Sequence, residues 1–577
     1  MRELLRYLKG YTKESIIGPL FKMLEACFEL FVPLVMANVI DVGIKNQDKL
    51  YIWQRGILLA GLGLLGLVCS LIAQYFAAKA AMGFGTALRK DLYSHINQLS
   101  YTELDALGTP ALVTRMTSDI NQAQAGVNLV LRLFLRSPFL AVGAVIMALS
   151  INPPITVIFL IAAPVISLVI FYIMKAAMPI YKKAQNMLDQ VAMLTRENHI
   201  GVRVVRAFSR QTRETERFES ISGELMDKQV LAGKIAALMN PITYVIVNLA
   251  IIVILWSGGT QVYQGRLSQG ELAALISYMT QILLALLALS ILVTAFTKAA
   301  ASAVRINEVF HKLPSMQEHK EPLQESVSCG IQVEFKHVCF SYAKPAEDAL
   351  ENISFQAKKG QTIGIIGGTG AGKTTLINLI PRFYDVQEGQ VLVKGIPVEE
   401  YPFLQLREKI GIVPQKAVLF RGTIRENMKW GKSDASDQEI YEALSIAQAK
   451  EIVDKNSEGL DMRISQGGRN LSGGQRQRLT IARALVSKPE ILILDDSSAA
   501  LDYATDAKLR KALKEKTKGM TVFLVSQRAA SIRSADQILV LDDGKLAGIG
   551  THQELLDTCQ VYQEICKSQF SQEEAAQ

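Results

Sequence analysis

Six long apolar stretches in the N-terminal half limit what this chain can fold into more than any other feature. Each approaches or exceeds the ~20 residues that a helix needs to cross a bilayer. They lie at residues 16–40, 56–82, 128–151, 155–178, 236–263 and 271–296. Residues 1–311 are therefore predicted to form an all-α domain with six transmembrane helices.

The N-terminus sets the expected orientation of this domain. Residues 1–11 alternate leucines with basic residues, which predicts a short amphipathic helix lying in the bilayer interface. No small-residue cleavage site indicates a signal peptide, and the basic N-terminus favours the cytosol. An even number of spans then returns the chain to the cytosolic side.

Two connections between the spans, residues 83–127 and 179–235, are much longer than the others. They are charged and contain few prolines or glycines, so we expect the flanking helices to continue well beyond the membrane. Near their turning points lie Tyr101 to Pro110 with Thr114 to Asp119, and Arg196 to Phe208. A solvated helical hairpin is the simplest interpretation of both tips.

Composition indicates a membrane domain joined to a soluble one. The 577 residues can form two or more domains. The content of 49% hydrophobic and 20% charged residues and the mean hydropathy of +0.20 are averages over very apolar N-terminal stretches and a C-terminal part of ordinary soluble composition. The excess of 62 basic over 54 acidic residues is explained by cytosolic loops that fix topology and contact anionic lipid. Nucleic-acid binding is therefore not expected. The six cysteines form no CxxC pair, so neither a metal cluster nor a disulfide framework is expected.

The remainder of the chain divides at a short linker. Residues 312–329 contain two prolines and charges of both signs, which is typical of a linker. Residues 330–568 are predicted to form an α/β domain. The polar residues 569–577 are predicted to be a disordered tail.

A glycine-rich octapeptide in the second domain fits the pattern G-x-x-x-x-G-K-[ST] and follows a predicted strand. Its glycines let successive N–H groups point inward at a helix N-terminus, where they form a nest for phosphate oxygens. The lysine would reach the terminal phosphates, and the hydroxyl beside it would hold Mg²⁺. The loop and the next residue are Gly367, Gly368, Thr369, Gly370, Ala371, Gly372, Lys373, Thr374 and Thr375. The pattern predicts a nucleotide-binding loop.

Two further segments complement this loop. Four apolar residues precede Asp495, as expected of a buried parallel strand that delivers a carboxylate to the Mg²⁺ shell, and Asp496 follows in the position of a hydrolytic base. Upstream, a serine and two glycines open a helix and form a second phosphate site from a hydroxyl, N–H groups and the helix dipole. This second segment comprises Ser472, Gly473, Gly474 and Gln475. Two phosphate-binding helix starts in one chain suggest that sites are shared between chains.

With these motifs in place, the whole chain resembles a half-transporter of the ABC exporter family, in which six membrane spans are fused to one nucleotide-binding domain. Residues 367–374 are similar to the family's Walker A motif and residues 492–495 to its Walker B motif. Residues 471–475 match its signature sequence letter for letter. The resemblance implies ATP and Mg²⁺ as cofactors and ATP hydrolysis coupled to export. It also implies a place in the cell membrane, with the nucleotide-binding domain and N-terminus cytoplasmic.

The resemblance assigns roles to further residues. Two such domains would close head to tail, so that each ATP lies between one chain's Walker A and the other chain's signature. Tyr342 would stack on adenine, with a core tyrosine as the alternative, and Gln415 would contact Mg²⁺ and the attacking water. The remaining assignments are an exporter-specific loop at Gln466-Gly467-Gly468, an interface-crossing loop at Ala499-Ala500-Leu501-Asp502, and coupling helices at both hairpin tips, including Arg206 and Phe208.

Two positions depart from the family pattern. Asp496 replaces a glutamate; its carboxylate is one methylene short, and a general base must lie within ~3 Å of its water. Gln527 replaces a histidine that contacts the γ-phosphate, and it carries no charge at neutral pH. We interpret the chain as the degenerate-site subunit of a bacterial heterodimer of the multidrug type, which completes the hydrolytic site of a non-identical partner. The alternative is a site that hydrolyses slowly.

The first span also carries charge. Lys22, Glu25 and Glu29 are spaced three and four residues apart and so lie on one helical face. Charge inside a membrane is costly unless it faces a wet cavity or a partner. The pattern is compatible with a site for cationic amphipathic small molecules and with a Lys22–Glu25 pair near the cytosolic boundary. Lipid or peptide export, and an ATP-gated channel or regulator, are the rival functions.

Overall fold

The computed structural model describes residues 3–319, 321, 323, 330–342, 348–497 and 501–569. Ala499, Ala500, most of residues 320–329 and the predicted tail after Gln569 lie outside these residues. The chain divides into two compact units, one comprising Met1–Asn97 and Gly108–Lys312 and the other comprising Gln98–Leu107 and Leu313–Gln577. A short segment from the first long connection is thus part of the second unit.

The N-terminal part of the chain is built from helices. A 3-10 helix, Glu3–Tyr11, precedes α1 (Thr12–Asn38), which ends in a π-helical turn at Val39–Ile44. The helices that follow are α2 (Lys49–Gln98), α3 (Tyr101–Leu107), α4 (Thr109–Thr114), α5 (Ile120–Leu133), α6 (Arg136–Ile151), α7 (Pro153–Ala207), α8 (Gln211–Ala237), α9 (Met239–Tyr263) and α10 (Gln269–Phe310). A second π-helical turn, Arg115–Asp119, joins α4 to α5. Helix α3 belongs to the second unit.

Among the described residues, six helical runs are long and apolar enough to cross a membrane. They are Glu3–Ile44, Lys49–Gln98, Thr109–Ile151, Pro153–Ala207, Gln211–Tyr263 and Gln269–Phe310. Each predicted span lies inside one of these runs, so the prediction of six membrane-spanning helices is confirmed. The segment predicted to be an amphipathic helix in the bilayer interface is a 3-10 helix with Leu4 buried and Leu5 exposed.

The two long connections are helical, as predicted, but their tips differ. The first tip contains the separate short helix α3, followed by Gly108 with a φ of +74°. At the second tip, α7 runs without interruption from Arg196 to Ala207, and the chain reverses at Ser209, whose φ is +51°. Residues 196–206 contain no proline, so nothing in their sequence forces the helix to end earlier.

Helix α1 packs along α10, and this contact compensates for a proline inside α1. Pro33 has no N–H and displaces the carbonyl group four residues before it. Gln281 of α10 donates its Nε2 to that carbonyl, the backbone oxygen of Glu29, at 3.3 Å. The buried Tyr278 hydroxyl donates to the neighbouring Leu30 oxygen at 2.7 Å. The two backbone acceptors beside the proline therefore have partners on α10.

The second unit contains, in its described residues, a four-stranded antiparallel sheet of order β2-β1-β4-β5 and a six-stranded sheet of order β12-β11-β3-β10-β9-β6. The strands are β1 (Ile331–Phe340), β2 (Leu350–Lys358), β3 (Thr362–Gly367), β4 (Glu388–Val393), β5 (Ile396–Pro397), β6 (Ile410–Val413), β7 (Gly422–Thr423), β8 (Arg463–Ile464), β9 (Ile491–Asp495), β10 (Thr521–Val525), β11 (Gln537–Asp542) and β12 (Lys545–Gly550). The larger sheet is parallel except for its edge strand β12.

Helices alternate with these strands. They are α11 (Lys373–Leu379), α12 (Phe403–Arg407), α13 (Ile424–Met428), α14 (Asp437–Ile446), α15 (Lys450–Asp454), α16 (Gly473–Leu485), α17 (Tyr503–Lys516), α18 (Ala529–Ile532), α19 (His552–Thr558) and α20 (Gln560–Gln569). The predicted combination of an all-α membrane part with an α/β part is confirmed.

The order of the parallel strands determines which segments lie together. The neighbouring strands β9 and β10 are buried along their whole length. Since ligands of open α/β sheets bind outside the carboxyl ends of the strands, the loops after β3, β6, β9 and β10 form one edge. These loops carry the glycine-rich octapeptide, Gln415, Asp496 and Gln527.

Candidate functional site

The glycine-rich loop curls around its own lysine. Gly370 and Gly372 have φ values of +87° and +91°, which L side chains rarely adopt, and a Cβ at Gly372 would lie 2.7 Å from the Ala349 oxygen. Lys373 opens α11 and donates its Nζ to the Gly367 oxygen at 2.9 Å. Burial lowers the pKa of Lys373, while the carboxylates of Asp496 and Asp495 oppose that shift. The loop thus places backbone N–H groups, a cation and a helix N-terminus together.

A hydroxyl and a carboxylate meet beside the loop. The Thr374 hydroxyl donates to Asp495, with its Oγ1 3.1 Å from Oδ2 and 3.2 Å from Oδ1. Asp495 is only 5% exposed at the end of β9. Burial raises the pKa of Asp495; the hydrogen bond from Thr374 opposes this shift and the neighbouring Asp496 adds to it. Two adjacent carboxylates in a half-buried position are a strong attraction for a divalent cation.

Two amide side chains lie beside Asp496. Gln527 donates its Nε2 to Asp496 Oδ2 at 3.4 Å. Burial raises the pKa of Asp496, whereas the amide of Gln415 and the nearby Lys373 act in the opposite direction. The φ of +42° at Asp496 shows that its backbone is turned sharply at the end of the strand. The structure therefore brings all the predicted catalytic positions together.

The predicted base-stacking residue stands beside the same helix. Tyr342 is 47% exposed, and its hydroxyl donates to Thr375 Oγ1 at 3.1 Å. Phe340 and Tyr384 make edge-on contacts with its ring at centroid distances of 4.9 Å and 5.2 Å. This half-exposed ring beside α11 is unlike a core tyrosine and can accept a planar base.

Sequence reasoning did not single out Tyr384. It lies outside the three recognised motifs, and only its neighbour in sequence, Phe383, hints at an aromatic cluster. Its contact with Tyr342 joins β1 to the segment after α11, and a contact between such distant positions has no local sequence signal.

The second phosphate-binding segment has the expected local structure. Ser472 is the N-cap of α16; its Oγ accepts from Gln475 N at 3.2 Å, and Gln475 Oε1 accepts from Ser472 N at 2.9 Å. This capping box fixes the start of the helix. A Cβ at Gly473 would meet nothing within 4 Å, so the backbone there is open to approach.

The two phosphate-binding segments do not meet within the chain. Among the described residues, no hydrogen bond or ion pair joins the segment from Ser472 to Gln475 with the glycine-rich loop. Of the loop predicted to cross an interface, Leu501 is buried and Asp502 caps α17 by accepting from Thr505 N at 2.8 Å. Its other two residues, Ala499 and Ala500, lie outside the described part.

The charged side chains predicted in the first span form ion pairs and hydrogen bonds within the chain. Lys22 donates to Glu25 Oε2 at 2.6 Å and to Ser70 Oγ at 3.1 Å. Arg136 of α6 donates to Glu29 Oε2 at 2.7 Å. The sequence reasoning found the acidic residues but missed Arg136, because its position opposite α1 depends on tertiary packing.

The donor set at the loop fits a magnesium nucleotide. Backbone N–H groups and Lys373 suit phosphate oxygens, Thr374 and Asp495 offer the hard oxygen ligands that Mg²⁺ prefers, and Tyr342 offers a ring for a base. The amide oxygen of Gln415 would be a further hard ligand for the metal. When bound, magnesium nucleotide supplies a phosphoanhydride that water can cleave.

Comparison with known proteins identifies the family of this chain. The family model for the ABC transporter transmembrane region matches residues 15–286, and the ABC transporter model matches residues 350–499. The uncharacterized ABC transporter ATP-binding protein YfiB of Bacillus subtilis is 37% identical, with 99% of each chain covered. The probable multidrug resistance ABC transporter ATP-binding/permease protein YheI of the same organism is 31% identical, covering 98% of this chain and 97% of that protein.

A third relative and a solved structure extend the comparison. The ATP-dependent lipid A-core flippase of Hahella chejuensis is 29% identical, covering 98% of this chain and 99% of that protein. The structure of a bacterial Atm1-family ABC exporter with ATP bound has a TM-score of 0.81 and 23% identity, covering 98% and 99% of the two chains, and supports the fold alone. The chain belongs to the ABC exporter family, as a half-transporter with its membrane and nucleotide-binding domains fused in one multi-pass membrane polypeptide.

Proposed function

We propose that this chain is one subunit of a heterodimeric ATP-driven exporter and that its own Walker site binds ATP but hydrolyses it poorly. The observation that carries the proposal is the environment of Asp496. Its carboxylate accepts a hydrogen bond from Gln527, and it is one methylene shorter than glutamate. A general base must come within reach of the water that it activates, so the shorter carboxylate is expected to be a poor base at this position.

The binding parts of the site are complete. Lys373, Thr374 and Asp495 keep the contacts expected of a phosphate and Mg²⁺ site. The signature segment is also intact, with Ser472 and Gln475 capping α16. A chain that retains nucleotide contacts and its signature, but not its base, fits a subunit that completes the hydrolytic site of a non-identical half-transporter.

The orientation of the chain in the membrane follows from the number of spans that we propose. Six spans return the chain to its starting side, so the N-terminus and the nucleotide-binding domain share the cytoplasmic face of the cell membrane. Closure of two nucleotide-binding domains would be carried to the spans by the long helices. The energy for the change of shape then comes from differential binding in the two states.

The cargo that we propose is an amphipathic small molecule, either a drug-like compound or a lipid. Relatives named for multidrug resistance and for lipid A-core flipping support this class. Glu25 and Glu29 are candidate contacts for such a molecule, but each already accepts from a cation of the chain. The pairing favours the structural alternative, in which these charges neutralise one another.

Purification from the native source tests the proposal directly. We expect a second, non-identical half-transporter to copurify with this chain, and we expect the chain purified alone to show little ATPase activity. A homodimer of this chain that hydrolyses ATP at ordinary exporter rates would contradict both the heterodimer and the impaired site. ATP-dependent uptake of an amphipathic dye into inverted vesicles would separate an exporter from an ATP-gated channel.

A further inference from the structure

Tyr384 contacts two parts of the chain that are distant in sequence, Tyr342 and helix α3. Its ring meets the edge of Tyr342 at 5.2 Å with the ring planes 88° apart, and it lies 5.6 Å from the Phe340 ring. Its hydroxyl donates to Asp105 Oδ2 of α3 at 2.7 Å. Burial, reinforced by Asp105, raises the pKa of Tyr384, so the phenol keeps the proton that it donates. One side chain therefore contacts both the base-stacking tyrosine and the first hairpin tip.

Three contacts with described residues orient Tyr342. Its hydroxyl donates to Thr375, and its ring makes edge-on contacts with Phe340 and Tyr384. The residue is 47% exposed. A base stacked on the Tyr342 ring would contact a ring whose orientation is set in part by Tyr384.

Helix α3 is attached to the same region by further contacts. Tyr101 packs on Phe383 at a centroid distance of 4.7 Å and on Tyr384 at 6.0 Å. Ser100 Oγ accepts from Met316 N at 3.2 Å, with both residues buried. In the sequence, only two residues separate α3 from the end of α2.

We infer that Tyr384 is a positioning residue that orients Tyr342 for base stacking through its ring and ties that surface to α3 through its hydroxyl. The inference rests on the proposed nucleotide binding. It assigns two separable tasks to one side chain, since the ring acts on Tyr342 and the hydroxyl acts on Asp105. Occupancy of the base-stacking surface then restricts α3 of the same chain.

Amide hydrogen exchange on the full chain in its assembled transporter tests this inference, with the non-hydrolysable analogue AMP-PNP and Mg²⁺ as the probe. In the wild type we expect AMP-PNP to slow exchange in residues 98–107. Tyr384→Phe keeps the ring, so its Kd for AMP-PNP should stay within about twofold of wild type, but the slowing in α3 should be lost. Tyr384→Leu removes both, and its Kd should rise by about five- to tenfold.

Asp105 provides the matched control. Asp105→Asn retains an oxygen that can accept from the Tyr384 hydroxyl and should keep the slowing, whereas Asp105→Leu should behave like Tyr384→Phe. Wild-type slowing in Tyr384→Phe, or no slowing in the wild type at saturating AMP-PNP, would overturn the inference. Failure of the wild type to bind AMP-PNP would instead overturn the proposed function.

Discussion

At the scale of single residues, the proposal of nucleotide binding with poor cleavage rests on Asp496 and Gln527. Both lie on loops that follow buried strands, and they contact each other at 3.4 Å. Their neighbours Thr374 and Asp495 retain the contacts needed for Mg²⁺. On the proposed function, the rate of cleavage at this site would depend on these two side chains.

The double substitution Asp496→Glu with Gln527→His should raise ATPase turnover of the chain purified alone by about tenfold or more. A longer carboxylate can reach its water, and a positioned general base contributes on the order of 10²–10⁴-fold. Asp496→Asn with Gln527→His is the control; it has no carboxylate at this position and should show no gain. Equal turnover in both double variants would show that the base is not the limiting part.

Magnesium-dependent nucleotide binding should weaken on acidification at a higher pH than an ordinary aspartate would allow. The cause is Asp495, whose pKa is raised by burial. A raised pKa means that the carboxylate takes up its proton earlier as the pH falls, and a protonated carboxyl binds Mg²⁺ poorly. Titrations of Mg²⁺ with AMP-PNP at several pH values would measure this.

The Asp495→Asn variant isolates this contribution from the titration of the nucleotide itself. It should bind Mg²⁺ weakly at every pH, so its affinity should change less with pH than that of the wild type. Parallel pH profiles for the two proteins would rule out Asp495 as the titrating group.

At the scale of elements, the seam between α1 and α10 shows how the membrane unit accommodates Pro33. The carbonyl oxygens of Glu29 and Leu30 accept from Gln281 and Tyr278. Unpartnered backbone groups cost several kcal/mol in the hydrocarbon region. The contact with α10 therefore stabilises the helical course of α1 around Pro33.

The substitution Tyr278→Phe should lower the stability of the transporter by about 1–3 kcal/mol, because it leaves the Leu30 oxygen without its side-chain donor. Thermal unfolding in lipid nanodiscs would measure the loss. Ser277→Ala is the control; Ser277 is exposed and donates only within its own helix, so the change should stay within about 0.5 kcal/mol. Equal thermal stability of wild type and Tyr278→Phe would show that the seam has another donor.

Much of the element structure could be predicted from local sequence. Apolar length predicted the six spans, and the glycine pattern predicted the loop between β3 and α11. The sequence did not predict whether α7 continues through Arg196 or a separate short helix forms at that tip, because helix-compatible residues do not specify where a helix ends. Contacts such as Arg136 with Glu29 or Tyr384 with Tyr342 depend on packing between distant segments.

At the scale of the whole molecule, the paired charges of the membrane unit bear on the cargo. Lys22 and Glu25 lie 2.6 Å apart with both side chains largely buried. Arg136 lies 3.9 Å from Glu25 and 2.7 Å from Glu29. The two cations balance the two carboxylates, so this cluster presents no unbalanced negative charge to a substrate.

The substitution Glu25→Gln should therefore destabilise the transporter by about 3–5 kcal/mol, because Lys22 is left buried without its counter-charge. Export of a cationic dye, expressed per folded transporter, should not change. Adding Lys22→Met to Glu25→Gln removes both charges and should recover most of the stability. If dye export falls in Glu25→Gln while thermal stability holds, Glu25 serves the cargo and the structural interpretation is wrong.

The single edge at which the loops after β3, β6, β9 and β10 meet has a consequence for how such subunits arise. Asp496 and Gln527, the two side chains that depart from the family pattern, lie on loops, while the hydrophobic framework lies in the strands behind them. On the proposed function, two substitutions at this edge would suffice to impair cleavage while the buried strands stay unchanged. A division of labour between two related subunits, as proposed for this chain, would then need few changes to the architecture.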